Sequence, residues 1–173
     1  MRKLVKYTEK LKHLPRTGWL DYGINMPETV ASHSWQMAVM ALQLANTQSQ
    51  QEYDFNKVIK MCLCHDLGES VIGDITPRDK RYKSKEANEE EAIKQIAEEG
   101  KIPELVLLYD EYTKNNTAEA NLAHDLDKLD MYVQAIDYEK KYPELDLSEF
   151  KESAIQSIKT KLGLTILENM EKI

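Results

Sequence analysis

The sequence is short of the residues that staple a chain or grip an anionic polymer. Only two cysteines occur in 173 residues, Cys62 and Cys64. Two positions apart on a helix they point in different directions, which excludes both a disulfide between them and a two-thiolate metal clip. The six glycines form neither a dinucleotide-binding pattern nor a phosphate-binding loop. Positive charge is in deficit: 23 Lys and Arg against 30 Asp and Glu leave a net charge of −7. That excludes a protein that holds nucleic-acid polymers or anionic membrane through a basic face. The longest apolar stretch, Val58 to Cys64, is interrupted by Lys60 and is too short to cross a bilayer. Residues 1–10 carry no apolar run followed by a cleavage site, so no secretory signal is expected and the location expected is cytoplasmic. A chain of 20.0 kDa suits one domain over 1–173. At this length folding buries roughly 70% of the unfolded surface, enough to dispense with a staple.

What is present is helical periodicity almost throughout. Leu4, Tyr7, Leu11 and Leu14 form one stripe before Pro15, and Arg16 to Met26 reads as a polar connector with Gly18 and Gly23. Val30, His33, Met37, Met40 and Leu44 share a face of a second helix, which ends in the polar stretch near 46–51. Phe55, Val58, Ile59, Cys62 and Leu63 give a third that stops near Gly68. Residues 69–84 have no period and read as a long loop with at most one short helix. Further helices are expected over 85–99 with Gly100 as C-cap, from Pro103 to about 114, and over 118–140. A last one, capped by Ser148, buries Phe150, Ala154, Ile158 and Leu162 before Gly163 loosens it. No strand alternation or internal repeat occurs. The expected class is all-α, a bundle of six to eight helices, with a C-terminal helical region over 147–173.

Several polar residues occupy positions where the pattern calls for apolar ones. His33 lies on the Met37/Met40/Leu44 stripe, where a core histidine bonded to backbone is the plain reading. Asp66 continues the buried face of Cys62 and Leu63, and an unpaired buried carboxylate costs several kcal/mol, so a cation must meet it. His65 beside it offers a nitrogen ligand, and Glu69 and Asp74 follow on the loop. A third cluster, Asp125, Asp127 and Asp130, lies on the 118–140 helix with His124, and helical phase does not choose among the three. A charge run of this kind is commonly a solvated face. Nitrogen and oxygen donors without thiolate suit one divalent transition ion (Co, Mn, Zn, Ni or Fe) with positions open to water.

Four blocks occur in order: Pro15-Arg-Thr-Gly-Trp19; Pro27-Glu-Thr-Val-Ala-Ser-His33-Ser; His65-Asp-Leu-Gly-Glu69 continuing to Gly73-Asp74-Ile75-Thr76-Pro77; and Asp127-Lys-Leu-Asp-Met131. Together they resemble the HD-domain metal-dependent phosphohydrolases, in particular the small 5′-deoxynucleotidases, over about residues 4–140. The resemblance implies hydrolysis of deoxyribonucleoside 5′-monophosphates. It implies metal ligation by His33, His65, Asp66 and Asp127, with Asp66 and Asp127 also facing the substrate. It gives Glu69 the proton transfer, Asp74 the sugar, the stretch Ile75, Thr76 and Pro77 the substrate loop, and Trp19 the phosphate side. Two departures stand out. Gly18, not an arginine, directly precedes Trp19, which leaves Arg16 as the phosphate clamp, with Arg78 the other cation at hand. Ser32 replaces a commonly acidic residue before His33. Other HD-type readings are hydrolysis of an alarmone or a cyclic nucleotide; a metal-free helical binding protein is the reading from another class. A homodimer is expected, from the resemblance and from Leu164, Ile166, Leu167 and Met170, which spread around the last helix.

Overall fold

The computed structural model describes residues 2–47 and 52–170, and among these it is helical, apart from one isolated antiparallel bridge between Pro15 and Thr29. The α-helices run α1 Arg2–Leu11, α2 Thr17–Leu20, α3 Val30–Thr47, α4 Phe55–Cys64, α5 Glu69–Ile72, α6 Lys85–Gly100, α7 Glu104–Lys114, α8 Ala118–Lys141, α9 Ser148–Ser157 and α10 Lys161–Met170, with a 3₁₀ turn at Lys80–Ser84. The polar stretch expected to end α3 lies partly outside the described residues. Two compact units contain these elements: Met1–Trp35 with Leu63–Glu111, and Gln36–Cys62 with Tyr112–Ile173.

In the first unit α1 packs on α5 and α6, and α5 on α6. The α1 stripe supplies Tyr7 and Leu11 to a core that also holds Val30, Leu67, Ile93, Ile96, Leu105 and Tyr109. Gly100 is the last residue of α6 rather than its cap; Lys101 takes the left-handed conformation, φ 57°, and closes the helix through the carbonyls of Ala97 and Glu98. A Cβ on Gly100 would stand 3.4 Å from Leu4 Cδ1, an ordinary contact, so the α1–α6 packing does not require glycine there. The expected loop at 69–84 contains one turn of α-helix, α5, and the 3₁₀ turn, whose start is capped by the Asp79 carboxylate accepting from the Arg81 amide. The connector at 16–26 likewise contains the single turn of α2.

In the second unit α8 is the central element, capped by the Thr117 hydroxyl and packed against α9 and α10. Asp125, Asp127 and Asp130 are all buried, so the acidic run is not a solvated face. Asp125 explains why the last helix is two helices. Its carboxylate accepts from the amides of Lys159 (2.9 Å) and Thr160 (2.7 Å), which holds the break after α9 and fixes Thr160, whose hydroxyl caps α10 by accepting from the Gly163 amide (2.9 Å). Gly163 passes so close to this carboxylate that a Cβ there would overlap it. Leu167 is buried and Leu164 exposed, so part of the apolar surface expected to mediate dimerisation packs within the chain. His124 stacks on Tyr112, ring centroids 3.9 Å apart, with Nε2 2.9 Å from the Tyr112 carbonyl, a packing role.

Candidate metal centre and active site

Helix α4 stops at Cys64, so His65 and Asp66 lie in the turn that leads to α5, not on the helix. That turn is held by its own backbone: the Leu67 amide donates to the Cys64 carbonyl and the Glu69 amide to the Asp66 carbonyl, both at 3.0 Å. His33 enters from the first turn of α3. This start is fixed by a reciprocal cap, in which the Thr29 hydroxyl accepts from the Ser32 amide (3.2 Å) and the Ser32 hydroxyl from the Thr29 amide (2.9 Å). Ser32, where the resemblance leads one to expect an acid, is therefore a helix-start residue.

Both imidazoles address one carboxylate oxygen. His65 Nε2 lies 3.1 Å and His33 Nε2 3.9 Å from Asp66 Oδ2, and the two rings meet edge-on with centroids 5.4 Å apart. A divalent ion with nitrogen and oxygen ligands at about 2.0–2.2 Å sets neighbouring ligand atoms about 3 Å apart. Two buried imidazole nitrogens 3.1 and 3.9 Å from one carboxylate oxygen form a donor set that fits such an ion once it draws them in. Burial works to raise the Asp66 pKa. The charges of His65, then His33, then Arg16 outweigh it and hold the carboxyl well below the usual carboxylate range. The group is thus ionised, as a ligand must be.

Glu69 is the opposite case. It opens α5 with its side chain 3% exposed, and burial followed by the nearby charges of Asp66 and Asp74 pushes its pKa up to about 10. Lys85, from the start of α6, places Nζ 3.1 Å from Glu69 Oε1 and 3.6 Å from Glu89 Oε1. Burial opposes the Lys85 charge, but Glu69, Glu89 and Asp66 raise its pKa. Burial and anionic neighbours thus favour the proton on Glu69, while its anionic neighbours favour the charge on Lys85.

The other predicted residues of the first unit have definite places. Asp74 Oδ2 accepts from the Thr17 amide at the start of α2 (2.5 Å), and its carbonyl accepts from the Thr17 hydroxyl (2.9 Å). This ties the loop after Gly73, φ 84°, to the turn that carries Trp19. Ile75 is buried, Thr76 half-buried and Pro77 exposed. Trp19 is 1% exposed, with Nε1 donating to Glu28 Oε1 at 2.8 Å; Arg16 Nε lies 3.9 Å from the same oxygen. Arg78, the other cation considered for phosphate, donates to the Tyr22 hydroxyl (3.3 Å) and covers its ring. In the second unit Asp127 lies on α8, with Oδ2 2.7 Å from Lys128 Nζ. Sequence reasoning missed Thr17, Glu28 and Lys85. Glu28 stood inside a quoted block, but nothing local assigns it a partner.

The HD domain family model matches residues 8–165. The chain belongs to the HD-domain family. Among curated proteins it is 42% identical over 151 residues to 5′-deoxynucleotidase HDDC2 of Dictyostelium discoideum, covering 82% of this chain and 78% of that one. Among solved structures, a conserved hypothetical protein from Pyrococcus furiosus superposes with a TM-score of 0.85 at 36% identity, covering 99% of this chain and 98% of that one. A predicted metal-dependent phosphohydrolase from Magnetospirillum magnetotacticum MS-1 does so with a TM-score of 0.72 at 25% identity, over 98% and 88%. The HD-domain dipeptide here is His65-Asp66. No helix among the described residues is long and apolar enough to cross a membrane.

Proposed function

We propose that this HD-domain protein is a metal-dependent phosphomonoesterase that hydrolyses deoxyribonucleoside 5′-monophosphates to deoxynucleoside and phosphate. The observation that carries the reading is the convergence of His33 and His65 on Asp66 next to the buried Glu69. The 5′-deoxynucleotidase relatives give its substrate class. His33, His65 and Asp66 hold the ion in this proposal, and Asp127 joins them as the fourth ligand on the strength of its sequence block. One divalent ion (Co, Mn, Zn, Ni or Fe) supplies Lewis-acid polarisation of a phosphoryl oxygen and a bound water of lowered pKa.

The chain's own residues do the rest. Arg16 presents a planar fork to the phosphate oxygens, and Trp19 walls that side. Glu69 keeps its proton at neutral pH and gives it to the 5′ oxygen of the leaving nucleoside; Lys85 Nζ, 3.1 Å away, stabilises the carboxylate that results. Asp74, fixed by Thr17, faces the sugar, where a 2′ hydroxyl would clash or lack a partner, giving preference for deoxyribose. Ile75, Thr76 and Pro77 form the substrate loop, and Asp66 and Asp127 face the phosphate as well as the ion.

The match over residues 8–165 supports reading the two units as one domain. A cytoplasmic location belongs to the same proposal. So does a homodimer: Trp35, Val39 and Leu42 lie at i, i+4 and i+7 on α3 and are all exposed, an apolar stripe of the kind that interfaces use. The test is phosphate release from a panel of deoxy- and ribonucleoside monophosphates, cyclic nucleotides and an alarmone, with each metal in turn. Metal-dependent release from the deoxynucleoside monophosphates is the expected result. Faster hydrolysis of a cyclic nucleotide or alarmone, or activity indifferent to chelator, refutes the reading.

A further inference from the structure

Glu28 was assigned no role by its sequence block, yet it stands between residues from three elements. The segment before α3 lies antiparallel to the segment before α2. The Val30 amide donates to the Leu14 carbonyl (2.9 Å), the Arg16 amide donates to the Glu28 carbonyl (3.0 Å), and Pro15 bridges Thr29. This clasp fixes the Glu28 backbone against the residue whose side chain it also meets. Its carboxylate, in a side chain 9% exposed, accepts from Trp19 Nε1 at 2.8 Å and lies 3.9 Å from Arg16 Nε, both through Oε1. A carboxylate oxygen of Glu28 is also within 4.8 Å of a ring nitrogen of His33. Burying a carboxylate is costly unless it is matched by donors and positive charge. Here Trp19 supplies the donor and Arg16 the positive charge.

We infer that Glu28 is a positioning residue for the phosphate end of the substrate. By holding Nε of the guanidinium it sets the plane of the Arg16 fork, and by holding the indole N–H it sets the Trp19 ring. Arginine recognises phosphate through planar paired donors, so the angle of that plane decides how well it binds. The inference rests on the assignment of Arg16 to the phosphate in the preceding subsection.

The test uses the full-length metal-loaded protein and four variants: Glu28→Gln, Glu28→Asp, Arg16→Gln and the Arg16→Gln/Glu28→Gln double. Gln keeps an acceptor for Trp19 but loses the charge facing Arg16; Asp keeps the charge but withdraws it by one methylene. Partners behind a site's contact residues typically contribute about ten- to a hundredfold. Glu28→Gln is therefore expected to raise KM and weaken inorganic phosphate binding, measured by calorimetry, by about tenfold, with a smaller change in kcat. Glu28→Asp should recover part of both. The double variant should be no worse than Arg16→Gln alone. A purely structural role would lower the melting temperature and scale kcat through the folded fraction, with KM and phosphate affinity unmoved; that result overturns the inference. If Arg16→Gln weakens phosphate binding while Glu28→Gln does not, the positioning role fails and the Arg16 assignment survives. If neither variant moves it, both fail.

Discussion

Removing the Asp125 carboxylate should destabilise the protein substantially while leaving its metal in place. In the sequence Asp125 is one of three acidic residues that compete for a ligand role; in the structure it anchors the break before α10 and the residue that caps that helix, Thr160. It accepts two backbone amides, from Lys159 at 2.9 Å and Thr160 at 2.7 Å, from a position 1% exposed. Hydrogen bonds to a charged acceptor contribute about 1.5–3 kcal/mol each. Lys159 is exposed and Thr160 half-buried, so water can reach part of what an alanine uncovers. The lower end of that range applies, and the net loss for Asp125→Ala is about 2–4 kcal/mol. For a chain of this length each kcal/mol shifts the melting temperature by about 2–4 °C, so a fall of roughly 4–16 °C is expected. Urea unfolding followed by far-ultraviolet circular dichroism measures the energy, and metal analysis of the folded variant checks the site. Gly163→Ala should act in the same direction, because its Cβ would overlap the Asp125 carboxylate and approach Ile158 Cγ2 to 2.9 Å. A loss below about 1 kcal/mol for Asp125→Ala would show that the carboxylate does not anchor the start of α10, and loss of bound metal from a folded protein would show that its role is not structural alone.

His33→Ala, Asp66→Ala and Asp127→Ala should each abolish phosphatase activity and most metal binding, whereas Asp130→Ala should retain metal; an active Asp127→Ala protein with full occupancy by elemental analysis removes Asp127 from the ligand set. Glu69→Gln should keep the metal and lose about 10²–10⁴-fold in kcat. Its stability profile follows from the sign of the shift: a carboxyl raised from 4.5 to about 10 favours the folded state below pH 4.5 and withdraws that contribution as pH climbs toward 10. Thermal melts of the metal-stripped protein across that window should therefore decline more steeply for the parent than for Glu69→Gln, and parallel profiles contradict the assignment. Light scattering at micromolar concentration should give twice 20.0 kDa, and Trp35→Glu should halve it; a single-chain mass for the parent refutes the dimer but not the active site.

Long periodic helices were legible from the chain alone. The 118–140 stripe is α8, Ala118–Lys141, and the α1 stripe meets the core through Tyr7 and Leu11. What escaped was either too short to show a period or set by a distant residue. One turn of helix, as in α2 and α5, offers nothing for periodicity to detect. The break between α9 and α10 is imposed by a carboxylate more than thirty residues earlier, which no local signal records. Phase could not sort the three aspartates because α8 buries residues around most of its circumference, so every candidate faces protein. The convergence of His33, His65 and Asp66 was anticipated by residue type. Lys85, sixteen residues from Glu69, and Glu28 were not: a glutamate preceding a helix has an ordinary local use, and a lysine opening one, although it opposes the helix dipole, does not name its distant partner.

The clasp between residues 14–16 and 28–30 also gives the site a built-in reporter. Its two backbone bonds, Arg16 to Glu28 and Val30 to Leu14, join segments about a dozen residues apart, and a loop that short closes at little entropic cost. The Arg16 and Val30 amides should therefore exchange with deuterium only when this segment opens, on a scale set by local rather than global unfolding. Their exchange rates would follow the side of the site proposed to hold the phosphate, in the absence of substrate or turnover. A variant that folds yet lets these two amides exchange freely has lost the geometry that holds Arg16 and Trp19, whatever its melting temperature.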